Sequence, residues 1–89
     1  MENTELEIYI TFVQSLLGTM NISAGLQGLK IFCGIDEVEA QEVFKTYKAL
    51  ELKDAQDLQS DTSVQRMDII HGLAMKALEH HNISQNQVR

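Results

Sequence analysis

Apolar residues return every three or four positions along most of this chain, and no proline interrupts them. At about 100° per residue, Leu6, Tyr9, Ile10, Val13, Leu16, Leu17 and Met20 fall on one stripe, the spacing of a helix with one buried side. A strand would need alternation every second residue. Leu, Ala, Glu, Gln, Lys and Met are plentiful and tryptophan is absent, so local propensity also favours helix. An all-α fold follows. The 89 residues leave room for one core, so the reading is a single domain over residues 1–89, a compact bundle of four to five helices.

The first helix is expected over residues 4–19, with Thr4 as its cap and Glu7 reaching back to complete a capping box. Ile8 and Phe12, one turn apart, lie on the flank of its stripe and give it more apolar surface than one neighbour can cover. A second helix is expected over 24–33, stopped by Gly34 in the left-handed conformation, with Leu26, Leu29, Phe32 and Cys33 on its inner side. Gly25 and Gly28 weaken that helix, and close approach of another helix is the compensation expected.

Asp36 caps a third helix over 37–51, with Glu39 in the capping box and Ile35 stapled against Ala40. Its stripe is Ala40, Val43, Phe44, Tyr47 and Leu50. Continuing it would place Glu51 and Asp54 in the middle of that stripe, so a break is expected near residue 52. A short turn over 53–59 then puts Ala55 and Leu58 inward. The polar run 60–63 marks a boundary. Asp61 or Thr62, the latter with Gln65, caps a last helix over 63–81, whose apolar face is Met67, Ile70, Leu73, Ala74, Ala77 and Leu78, widened by Val64 and Met75. Residues 82–89 read as a frayed polar tail.

The net charge of −6, from 13 acidic and seven basic residues, works against phosphate backbones and anionic lipid. Residues 1–7 carry three glutamates and no basic residue, unlike a secretory signal. No apolar run approaches the roughly 18 residues of a membrane span. The lone Cys33 allows no internal disulfide and suits a reducing compartment, so the expected location is the cytoplasm. Without secretion, the glycosylation patterns Asn21-Ile22-Ser23 and Asn82-Ile83-Ser84 are chance matches.

Candidate chemistry is sparse. Residues 29–44 have the outline of a helix-turn-helix, but Lys30 stands where a small residue would let the helices approach, and the second helix opens with Asp36, Glu37, Glu39 and Glu42, which a phosphate-lined groove repels. His71, His80 and His81 lack the i, i+4 spacing of two metal-binding imidazoles on one face. His81 is placed at the end of the core and His80 towards solvent, both near the helix C-terminus, where a protonated imidazole meets the dipole favourably. Cys33 with His71 as nucleophile and base has no local support, and Cys33 reads as a small core residue. The acidic run spreads around its helix, and its place opposite the positive helix end explains it. There is no phosphate-cradling glycine loop and no calcium loop. No catalytic residue, cofactor or metal is therefore expected.

Met20, Met67 and Met75 read as core filling, or as an adaptable groove if Met75 joins Ile8 and Phe12 in one exposed patch. The expected function is a small acidic interaction module, an adaptor, anti-activator or chaperone-like regulator. Ile8, Phe12 and Met75 would supply its contact area, and Asp36, Glu37, Glu39 and Glu42 would steer a basic protein partner. The alternative is a dimeric, helix-turn-helix-like transcriptional regulator associated with DNA. A homodimer is expected, and a third alternative is an obligate homodimer whose first and last helices only complete each other's core, with biological activity carried elsewhere in a larger assembly.

Overall fold

A computed structural model describes the backbone of residues 2–88 and the side chains of residues 4–82. It is all-helical: α1 (Glu2–Gly18), α2 (Ile22–Cys33), α3 (Glu37–Gln56) and α4 (Ser63–Val88). Among the described residues there is no strand. The Cα atoms span 51 × 30 × 17 Å. With helices packing 8–10 Å apart, the shortest extent corresponds to two helical layers. Every pair of helices is in contact, α1 with α4 most extensively and α1 with α3 least.

The core is drawn from the stripes read from the sequence. Tyr9, Val13 and Leu17 of α1 meet Leu29 and Cys33 of α2, Ala40, Phe44 and Tyr47 of α3, and Ile70, Leu73, Ala74 and Ala77 of α4. Leu17, Leu29, Ile70 and Val13 are its largest fully enclosed side chains. Removing such atoms from water at about 25 cal/mol per Å² drives the assembly. Met20 departs from its stripe: α1 ends at Gly18, the chain turns away, and Met20 is left 96% exposed. Met67 is also partly exposed, its sulfur accepting from Gln14 Nε2 at 3.9 Å.

Helix α2 begins two residues earlier than expected because Asn21 caps it, its side-chain oxygen accepting from Ala24 N at 3.1 Å. Gly34 stops it with φ 68°, its N–H donating to the Lys30 carbonyl at 3.0 Å. Close helix approach is found at both interior glycines. A Cβ on Gly25 would lie 2.6 Å from Phe44 Cε2 and 2.9 Å from the Leu16 carbonyl, and one on Gly28 would collide with the Leu16 side chain.

Three further helix boundaries differ from expectation. α1 starts at Glu2, which puts Thr4 inside the helix and removes its capping role. α4 continues to Val88, so His80 and His81 lie within the helix instead of at its C-terminus. From residue 83 on, the frayed-tail reading falls outside the described side chains. The third difference is larger: α3 does not break near residue 52 but runs on to Gln56.

The two carboxylates that argued for a break have partners. Glu51 pairs with Lys48 at 3.4 Å. Asp54 accepts from the Thr62 N–H (2.9 Å), the Ser60 hydroxyl (3.0 Å) and Arg66 (2.6 Å). Thr62, buried, also places its hydroxyl 2.9 Å from Asp54 Oδ2 and 3.0 Å from the Leu50 carbonyl, and accepts from Arg66 Nε at 3.1 Å. The Thr62 hydroxyl thus faces α3 and leaves the α4 cap to Asp61, which accepts from Ser63 N at 3.0 Å. With the helix extended, Ala55 and Leu58 face outward, Leu58 at 98% exposure, contrary to the inward placement expected of them.

Candidate interaction surface

Two helices build the surface that carries Ile8 and Phe12. Positions 8 and 12 sit one turn apart on the side of α1 next to α2, because Leu16 on the same flank packs onto Gly28. Phe12 and Phe32 meet edge to face, centroids 4.5 Å apart at 74°, and Tyr9 approaches Phe32 at 5.1 Å and 64°. Such pairs add about 0.5–1.5 kcal/mol beyond area burial. They pack one side of the Phe12 ring and leave it 46% exposed, with Ile8 at 62% and Ile31 at 71%.

One shallow depression runs along α1 past Thr4, Glu7, Ile8, Thr11, Phe12 and Ser15. A second, bounded by Phe12, Gly28, Ile31, Phe32, His80 and His81, adjoins it at Phe12. The result is a largely apolar face across the α1–α2 seam, with Glu7 among its α1 residues and His80 and His81 at its other end. Ile31 and Phe32 belong to it, although the sequence singled out neither as exposed: Phe32 was placed with the core stripe, and Ile31, about 160° from Leu29 beyond a glycine-rich turn, carried a usable signal only as an isoleucine off its helix's buried side.

Met75 does not join this face and lines neither depression. It lies on the flank of α4 that also carries Val64 and Met67, and Met67 contacts Gln14. Gln14 and Phe12 are about 200° apart around α1. The exposed methionine flank and the Ile8–Phe12 face are therefore on opposite sides of the first helix.

The acidic residues are engaged within the fold. Asp36 caps α3 by accepting from Glu39 N at 2.8 Å. Glu37 holds Lys30 at 2.6 Å and accepts from Gln41 at 2.8 Å, bonds that lower its carboxyl below the ordinary range. Glu39 does not reach back to close the capping box; it pairs across to Lys76 of α4. Glu42 lines a separate depression with Lys45, Thr46, Ala49, Leu50 and Lys53. At the 29–44 corner the one lysine is thus tied to a carboxylate of the helix that would have to read DNA.

Burial pushes the Cys33 thiol up to about 11, with Lys76 opposing and Glu39 adding, which keeps it protonated at neutral pH. His71 is exposed, His80 lies beside Gly34, and His81, also exposed, turns its ring edge-on to Tyr9 at 6.2 Å. Among the described residues no group of three His, Cys, Asp or Glu side chains could hold a metal ion, no buried side-chain polar atom lacks a partner, and no helix is long and apolar enough to cross a membrane. The chain matches no protein-family model, and no curated protein or solved structure resembles it at a significant level.

Proposed function

We propose that this protein is a small acidic interaction module that works by presenting the α1–α2 face to a protein partner, without chemistry of its own. The observation that carries the reading is the exposed surface of Ile8, Phe12 and Ile31, with Phe12 packed edge to face against Phe32. Rigid aromatic and aliphatic anchors contribute most of the energy of protein interfaces, because little side-chain entropy is lost when they are covered. The steering role expected of Asp36, Glu37 and Glu39 weakens here, since each already has an internal partner; Glu42 is the member of that run left to it.

A photo-reactive side chain placed at position 8 and, separately, at position 75 tests the reading in cells. A discrete protein adduct from position 8 and none from position 75 is the expected result. Equal labelling from both positions, or none from position 8, overturns it.

A further inference from the structure

Glu7 is the charged group of the depression along α1, and no cation of the chain answers it. Thr11 and Ser15, beside it, turn their hydroxyls back onto the helix, donating to the backbone carbonyls of Glu7 at 3.0 Å and Thr11 at 3.2 Å. Among the described residues, Lys30, Lys48, Arg66 and Lys76 are each held by another carboxylate, and Lys45 and Lys53 border the separate depression on α3. Glu5 also stands outside these ion pairs. At about 100° per residue it lies about 60° to one side of Ile8, and Glu7 about 100° to the other. Two exposed carboxylates without a cation thus bracket the N-terminal end of the Ile8–Phe12 strip.

We propose that the occupant of this face is an amphipathic helix of a basic protein, which lays its apolar side over Ile8, Phe12 and Ile31 and brings a lysine or arginine to Glu5 and Glu7. The proposal rests on the reading of this face as a protein-contact surface. A helix fits because the depression follows α1 from Thr4 to Ser15, about 17 Å or three helical turns. α1 and α2 commit their backbone N–H and C=O groups to their own helical bonds, so an extended segment finds no edge to join, and side-chain packing in a groove is what remains.

Charge gives the sign of the partner. The net charge of −6 attracts a basic protein at long range, and Glu5 and Glu7 then set which end of its helix lies at the start of α1. The same carboxylates disfavour other occupants. Neither depression of this face has a Lys or Arg in its wall, so a second copy docked through it would bring Glu7 to a surface without a cation. For the same reason an anionic lipid surface or a phosphate backbone finds nothing there to pair with.

The probe is a library of amphipathic peptides about 18 residues long, enough to hold a helix, in which the positions flanking the apolar stripe vary between Lys, Gln and Glu. It is selected on the purified full chain. The selected peptides are expected to carry lysine on the flanks of one end and to bind less tightly as salt is added. Glu7→Lys is expected to weaken them about tenfold, since like charges then meet, whereas Asp68→Lys, an equal change of net charge at an exposed position outside both depressions, stays within about twofold. Ile31→Ser, at an exposed position, is expected to weaken the same peptides, with the helical circular dichroism of all three variants unchanged. Selection of Gln or Glu at those flanks overturns the proposal, and so do equal losses from Glu7→Lys and Asp68→Lys, which would mean attraction to net charge alone. A reversible dimer of the chain, or binding to phosphatidylserine vesicles, that Ile31→Ser abolishes also overturns it. If one of these results is found while position 8 still gives a discrete protein adduct in cells, the contact-face reading stands without a basic partner. With no adduct from position 8, the two fall together.

Discussion

Gly34 combines two requirements at one residue. Its φ of 68° is a conformation in which an L side chain is strained by about 1–2 kcal/mol, and a Cβ there would meet the His80 ring 2.5 Å from Nδ1. Gly34→Ala is therefore expected to destabilise the fold by about 1–2 kcal/mol in urea unfolding, and Gly34→Ala with His80→Ala to recover part of the loss. Cys33, next to it, is expected to react with a disulfide reagent far more slowly in the native protein than in the urea-unfolded chain, because burial keeps it a thiol. Leu29 and Leu58 separate what the sequence conveyed from what it did not. Leu29→Ala empties an enclosed site and is expected to cost about 2–5 kcal/mol. Leu58→Ala is expected to change stability by less than about 0.5 kcal/mol. A cost at Leu58 like that at Leu29 would mean that the 57–61 loop folds inward after all.

At the scale of elements, the stripes that the three-and-four spacing defined became the inward sides of their helices, Met20 and Met67 excepted, because burial within a helix depends on where a residue points and that follows from helical geometry. The stop at Gly34 and the cap at Asp36 were equally legible, being decided within a few residues. The end of α3 was not. Asp54 argues for a break, since a carboxylate on a buried stripe is costly, and the sequence does not show that the chain turns and returns Ser60, Thr62 and Arg66 to that carboxylate. Burial alone would raise the Asp54 carboxyl, but the hydrogen bonds from Thr62, Arg66 and Ser60 outweigh it and hold it at about 2, below its ordinary 3.8. A depressed carboxyl stabilises the fold fully above its unfolded value, and that contribution disappears as pH falls through the folded one. Stability is therefore expected to decline from about pH 4 towards pH 2. Glu37 and Asp61, also lowered, act in the same direction. Comparing urea midpoints of wild type and Asp54→Asn isolates this residue: the variant is expected to be less stable at pH 7 and to show a shallower acid decline, and parallel curves would remove Asp54 from the account.

For the molecule as a whole, the flanking position of Ile8 and Phe12 was readable, because surplus apolar surface beside a complete stripe has to face something. Their separation from Met75 was not, since it depends on which side of α1 receives α2 and which receives α4. The double substitution Ile8→Glu with Phe12→Glu should yield a stable monomer if this face is the contact between copies, judged by sedimentation together with thermal melting, and an unchanged association would point instead to the Val64–Met75 flank of α4. A body two helical layers thick also has consequences for how it comes apart. Every core side chain is one layer from water, and α4 supports all three partners, so no inner group of contacts could survive the departure of one helix. Amide protons deep in α1, α2, α3 and α4 should then exchange with solvent at one shared free energy, the molecule opening as a single cooperative unit.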